Sequence, residues 1–161
     1  MDEIAEASGV SRATLFRRFP SRERLIAELC EVAAAEYVEA VDGAAPEHGE
    51  PPAALRRVLT GLAELAPSFG LLAFQPLSDE DEARLLGWVA EADRRIHRLV
   101  ERGQTGGDFR PDVPAAWVTT AATWLVVGAA DALRLGTLAP RDVSRLITET
   151  VMGGLRREAS Q

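Results

Sequence analysis

Apolar residues recur at intervals of three and four along almost the whole chain, and no run of alternating β-branched residues is long enough for a strand. That period excludes a sheet protein and predicts an all-α fold. In residues 22 to about 41, Leu25, Ile26, Leu29, Val32, Ala33 and Tyr37 share one stripe. Val143, Leu146, Ile147, Val151 and Leu155 make a second stripe near the C-terminus. With 47% hydrophobic residues over 161 positions, the chain has enough core for one compact domain or for a small domain fused to a larger one.

Glycine, proline and capping residues set the expected boundaries. A short helix over residues 2–8 ends at Gly9, and Ser11 caps a second over residues 12–18. Pro20 stops that helix, and Ser21 caps the third. Residues 42–52 contain two Gly, three Pro and two Glu, which predicts an exposed linker between a region at 1–41 and a domain at 52–161. Helices are expected over residues 52–66, 67–76, 78–102, 114–135 and 140–156. Asp112 is the expected cap of the fourth of these, and 103–112 is a Gly-rich turn.

Several classes of chemistry find no support. The single cysteine, Cys30, cannot form an intrachain disulfide and reads as a small core residue. The acidic run at residues 79–82 is helix-start chemistry rather than a metal site, because adjacent helical carboxylates point in different directions. The Gly-rich turn lacks the Gly-Lys-Ser/Thr ending that grips phosphates. Two His and one Cys without a carboxylate partner name no nucleophile and base, so no enzyme, cofactor or metal is expected. His97, among Arg94, Arg95 and Arg98, is expected to point partly to solvent. The uncharged run at residues 113–130 is slightly short for a membrane span and reads as a helix buried on two sides. No signal peptide is visible, and the expected location is the cytoplasm.

The net charge is −7, which excludes a uniformly basic nucleic-acid coat. Yet residues 9–24 hold five Arg against one Glu, a local charge of +4 that leaves −11 for the rest. This patch falls on two short helices meeting at Ser8-Gly9-Val10, with small Ala5 at the crossing and Ile4, Val10 and Leu15 available for burial. Such an arrangement predicts a helix-turn-helix whose second helix meets phosphates. Charge and spacing alone also fit a helical hairpin with a solvated arginine face.

Residues 4–25, IAEASGVSRATLFRRFPSRERL, resemble the DNA-binding signature of the TetR family of bacterial repressors over 22 positions. The later helices, with the Phe109-Arg110-Pro111-Asp112 loop, resemble that family's regulatory domain by layout. The resemblance implies a cytoplasmic homodimer that places two recognition helices in successive major grooves of a palindromic operator and releases it when a small molecule binds. It places Ser11, Arg12, Thr14, Phe16, Arg17 and Arg18 toward DNA, with Arg22 on phosphate and Ser21 as a cap.

Two positions depart from the family pattern: Ala13 stands where Gly is frequent, and Phe16 where Tyr is frequent. The missing hydroxyl removes one backbone hydrogen bond, on the order of 1 kcal/mol. The family also carries a further helix ahead of the position of Asp2, so Met1 is expected to be an internal methionine with native sequence upstream. Without that helix, residues 1 to about 20 are expected to be mobile and DNA affinity poor. The alternative function is then a helical ligand-binding and dimerisation module.

In the second half, Leu65, Phe69, Leu72, Phe74, Trp88, Trp117 and Trp124 are candidates for a cavity that suits a small, mainly apolar effector, although ordinary core packing also explains them. The resemblance implies dimerisation through the last two helices. Val127, Asp131, Leu146, Thr150 and Val151 are the candidate interface residues there.

Overall fold

The computed structural model describes residues 1–72 and 75–156, and these residues are all-helical. The order is α1 (Asp2–Ser8), α2 (Arg12–Arg18), α3 (Arg22–Ala44), α4 (Pro51–Glu64), α5 (Ala66–Leu72), α6 (Asp79–Gly106), α7 (Ala115–Arg134) and α8 (Val143–Gly154). A single 3₁₀ turn, Pro140–Asp142, leads into α8. Phe74 lies outside the described residues and the side chain of Leu72 is likewise not described, while the final helix stops at Gly154, short of the expected residue 156.

The short N-terminal helices are set by local chemistry. Gly9 takes a left-handed φ of 68°, and its N–H donates to Glu6 O at 3.2 Å. Ser11 Oγ accepts the Thr14 N–H and Ser21 Oγ accepts the Arg24 N–H, both at 3.2 Å. Ser78 Oγ does the same for Asp81 N–H at 3.1 Å, at the head of α6.

The core lies where α3, α4, α6, α7 and α8 meet. Val41, Leu55, Val58, Leu59, Leu99 and Val100 are each at most 1% exposed within it. α7 is long and apolar enough to cross a membrane by length and composition. Its Val118, Ala122, Val126 and Val127 face the core. The expectation of burial on both sides is not met within one chain, because Trp117 and Trp124 on the other side are exposed.

Three boundaries differ from expectation. Residues 42–44 belong to α3 and residues 51–52 to α4, so the connecting stretch is shorter than residues 42–52. α3 runs on to Ala44, and the following turn is pinned by two arginines from other helices. Arg57 donates to the carbonyls of Ala44, Ala45 and His48, while Arg102 donates to those of Pro46, Glu47 and Gly49. Gly103, expected in a turn, instead lies buried inside α6, which ends at Gly107 with φ 86°. Asp112 does not cap α7; it accepts from Arg110 Nε at 2.7 Å, and Pro114 occupies the cap position.

Arg95 also holds the turn, pairing with Asp42 and donating from Nε to Glu47 Oε1 at 2.6 Å. That hydrogen bond lowers the Glu47 carboxyl from 4.5 to about 2. A depressed acid stabilises the fold above its unfolded pKa and ceases to do so as pH falls through its folded one. Acid unfolding between pH 4.5 and 2 is therefore expected to be shallower in Arg95→Ala than in the parent, measured as melting temperature against pH. Because Glu47 is half exposed, the effect is small.

Candidate nucleic-acid interface and ligand cavity

Leu15 is buried beneath α2 and Ala5 at the helix crossing, as a helix-turn-helix requires. Ile4 and Val10, expected to be buried with Leu15, are more than one-third exposed. They flank the crossing instead of entering it. Above Leu15, Ser11, Arg12, Thr14, Phe16, Arg17 and Arg18 are all exposed on α2 or at its cap. Ser11 and Thr14 are already engaged with one another, since Ser11 Oγ donates to Thr14 Oγ1 at 2.9 Å.

The arginines are not equivalent. Arg12 pairs with Asp2 at 3.1 Å and its guanidinium sits 5.4 Å from the Phe16 ring centroid. Arg18 pairs with Glu28 at 2.8 Å, and Arg24 reaches the same carboxylate at 3.4 Å. Arg17 has no hydrogen bond or ion pair among the described residues. Arg22 donates to the neutral Gln75 Oε1 at 2.7 Å. Arg17 and Arg22 thus have no ion pair among the described residues, whereas the pairs of Arg12 and Arg18 are surface contacts of at most about 1 kcal/mol that a phosphate can displace. The i,i+4 spacing of Arg24 and Glu28 was visible in the sequence. The contacts of Arg18 with Glu28 and Arg22 with Gln75 join distant positions and were not.

A cavity of about 500 Å³ opens between α3, α5, α6 and α7. Cys30, Ala33 and Ala34 form its α3 wall, and their small side chains are what leave the space. Of the aromatic residues singled out from the sequence, Phe69 and Trp124 line it. Leu65 lies instead on a separate groove between α3 and α4. Trp88 and Trp117, 40% and 61% exposed, stand outside the lining because they project from the solvent sides of α6 and α7.

Tyr37, Gln75, Glu82, Asp93, Thr119, Thr120 and Thr123 bring polar groups to the lining. Tyr37 O–H donates to Asp93 Oδ1 at 2.6 Å, and burial together with the Asp93 charge pushes the phenol well above its ordinary value. Thr123 Oγ1 donates to Thr119 O and Thr120 Oγ1 to Ala116 O. Thr119 Oγ1 is buried with no partner among the described residues. Glu82 stands at the exposed rim. Burial raises the Cys30 thiol, which keeps it protonated and a poor nucleophile.

The candidate interface residues divide. Val127 lines the cavity and Val151 is buried in the core, so neither fronts an outer surface. Leu146 and Thr150 are exposed on α8, and Asp131 is half-buried and accepts from Arg134 at 2.7 Å. Leu146, Trp117, Trp124 and Leu135 leave an apolar surface open on α7, α8 and the turn between them.

Residues 1–29 match the sequence model described as bacterial regulatory proteins, tetR family. The HTH-type transcriptional regulator NfxB of Pseudomonas aeruginosa is 29% identical over 161 residues, covering 99% of this chain and 86% of that protein. The HTH-type transcriptional repressor LfrR of Mycolicibacterium smegmatis is 30% identical over 119 residues, which are 73% of this chain and 60% of LfrR. Among solved structures, a bacterial regulatory protein in the tetR family from Rhodococcus RHA1 matches with a TM-score of 0.79 at 20% identity, over 96% of this chain and 84% of that one. The structure of LfrR in complex with proflavine matches with a TM-score of 0.72 at 24% identity, over 97% and 85%. These structural likenesses show a common fold.

Proposed function

The chain belongs to the TetR family of bacterial regulators, and on that premise we propose that it is a transcriptional repressor that binds a palindromic operator as a homodimer. A small, mainly apolar effector entering the cavity releases the DNA. Its relatives are regulators rather than enzymes.

The observation that carries this reading is an exposed helix-turn-helix whose Arg17 and Arg22 have no ion pair among the described residues, within a chain whose net charge is −7. The acidic remainder is repelled by a duplex, so only this face docks. The cavity supports the release step, because its Phe69 and Trp124 offer ring surface to an organic ligand. LfrR, of the same fold, has been solved with a small molecule bound.

Band-shift titration against duplexes from the flanking genome, at two salt concentrations, tests the reading. Binding that weakens steeply with salt and requires a palindrome is the expected result. Salt-independent retention, or none at low salt, would leave only a ligand-binding and dimerising module.

The two-fold partner is expected on the apolar surface of α7 and α8. Leu146→Glu places a charge at an exposed apolar position while leaving the buried Ile147 and Val151 untouched. It is expected to shift sedimentation from dimer to monomer with helical content unchanged.

A further inference from the structure

We propose that Gln75 is a positioning residue for DNA binding: its amide oxygen holds Arg22 ready for a phosphate, and filling the cavity breaks that hold. This rests on the reading of the cavity as the effector site and of Arg22 as a phosphate contact, and it names the residue that joins the two.

Gln75 lines the cavity, and its Oε1 accepts from Arg22 Nη2 at 2.7 Å, across 53 positions of the chain. Among the described residues, no other lining side chain bonds to residues 1–29. A guanidinium only donates, so the amide must turn its oxygen to Arg22. That oxygen is neutral and engages one edge of the guanidinium, which leaves the charge and the remaining N–H groups for a phosphate. Arg18 is placed differently, by the Glu28 carboxylate at 2.8 Å, which a phosphate must displace. The Glu23 carboxyl is lowered by a backbone hydrogen bond, by Ser21 and last by the Arg22 charge, and no ion pair joins it to Arg22 among the described residues.

Both ends of this contact have a fixed backbone. Arg22 opens α3, whose first turn is capped by Ser21 Oγ on the Arg24 N–H. Gln75 precedes Pro76, which confines it to extended backbone, and the head of α6, capped by Ser78, follows at once. A hydrogen bond between such anchors orders a long, exposed arginine before a duplex arrives, so less side-chain freedom is lost on binding. Cavity occupancy bears on the same bond. Leu77, two positions on, also lines the cavity, so a ligand there presses on both sides of Pro76. A displacement of about 1 Å carries the 2.7 Å contact past hydrogen-bonding range.

The test uses the full chain, a duplex that it retains in band-shift titration, and the neutral dye N-phenyl-1-naphthylamine, which fluoresces in apolar surroundings. Gln75→Met keeps the length of the side chain and removes its oxygen. It is expected to weaken duplex binding about three- to tenfold with an unchanged salt slope, because Arg22 keeps its charge. In an Arg22→Ala background, where the slope itself falls, the same substitution is expected to change nothing. Saturating dye is expected to weaken duplex binding by the parent chain and to do so less in Gln75→Met, while dye affinity without DNA stays the same. Equal losses from Gln75→Met in both backgrounds, or a dye effect that survives it in full, overturn the role of Gln75 and leave the cavity as the effector site. A dye that does not bind, or that binds without moving duplex affinity in the parent chain, overturns both. A chain that retains no duplex overturns the DNA reading and this role with it.

Discussion

Arg17→Ala is expected to weaken operator binding by about 1–3 kcal/mol per subunit, and to lower the salt dependence by about one counterion for each arginine removed. Both consequences follow from the charge census of the helix-turn-helix. Arg17 has no hydrogen bond or ion pair among the described residues, so it gives up no such partner on meeting the duplex. Arg12→Ala is expected to have a smaller effect, since that guanidinium already faces Asp2 at 3.1 Å and must exchange this pair for a phosphate. Arg18→Ala falls between them, because Glu28 is shared with Arg24. The measurement is a set of binding isotherms at four salt concentrations for each variant. Equal losses for Arg12→Ala and Arg17→Ala would contradict the ranking. A loss for Arg17→Ala without any change in salt slope would assign it to base contact alone.

Phe109→Ala is expected to lower stability by about 3–5 kcal/mol, enough to shift the melting temperature of a domain this size by on the order of 10 °C. Phe109 is 2% exposed and belongs to the core, beside Gly103 of α6. Its ring abuts Gly103, where an added Cβ would fall 2.3 Å from Cδ2 and 2.4 Å from Cε2. Gly103→Ala therefore cannot be accommodated without expelling the ring, although alanine is the better helix former. The two substitutions are expected to be strongly non-additive: in a Phe109→Ala background the methyl of Gly103→Ala enters the space the ring has left. Thermal melts of the two single variants and the double variant check this. Additive losses would mean that ring and glycine do not constrain one another.

The parts of this fold legible in the sequence are those decided within a few residues. Gly9, Ser11, Ser21 and Ser78 act on helix ends three or four positions away, and each does what its residue type dictates. The turn after α3 has the composition of a tether, and that composition does not reveal how it is held. What immobilises it comes from Arg57, Arg95 and Arg102, as far as 56 residues along the chain. Gly103 looked like the start of a loop for the same reason, since the ring that occupies its missing Cβ is Phe109.

At the interface, the identity of the exposed arginines was readable, whereas their division into paired and unpaired was not. Asp2 and Gln75 become neighbours of Arg12 and Arg22 only once the helices are placed. In the cavity, size was a misleading guide. The large Trp88 and Trp117 lie outside, while Ala33, Ala34 and Thr119 make the wall.

α3 carries Ser21 and Arg22 at one end and Cys30, Ala33, Ala34 and Tyr37 farther along. A chimera that borrows another protein's reading head would have to be spliced after Arg22 and before Cys30, because a junction at the proline-rich turn would exchange one side of the binding chamber along with the DNA specificity. For the same reason, a fragment begun at residue 52 would inherit most of the core but only a partial chamber, and its ligand preferences would not report those of the intact chain.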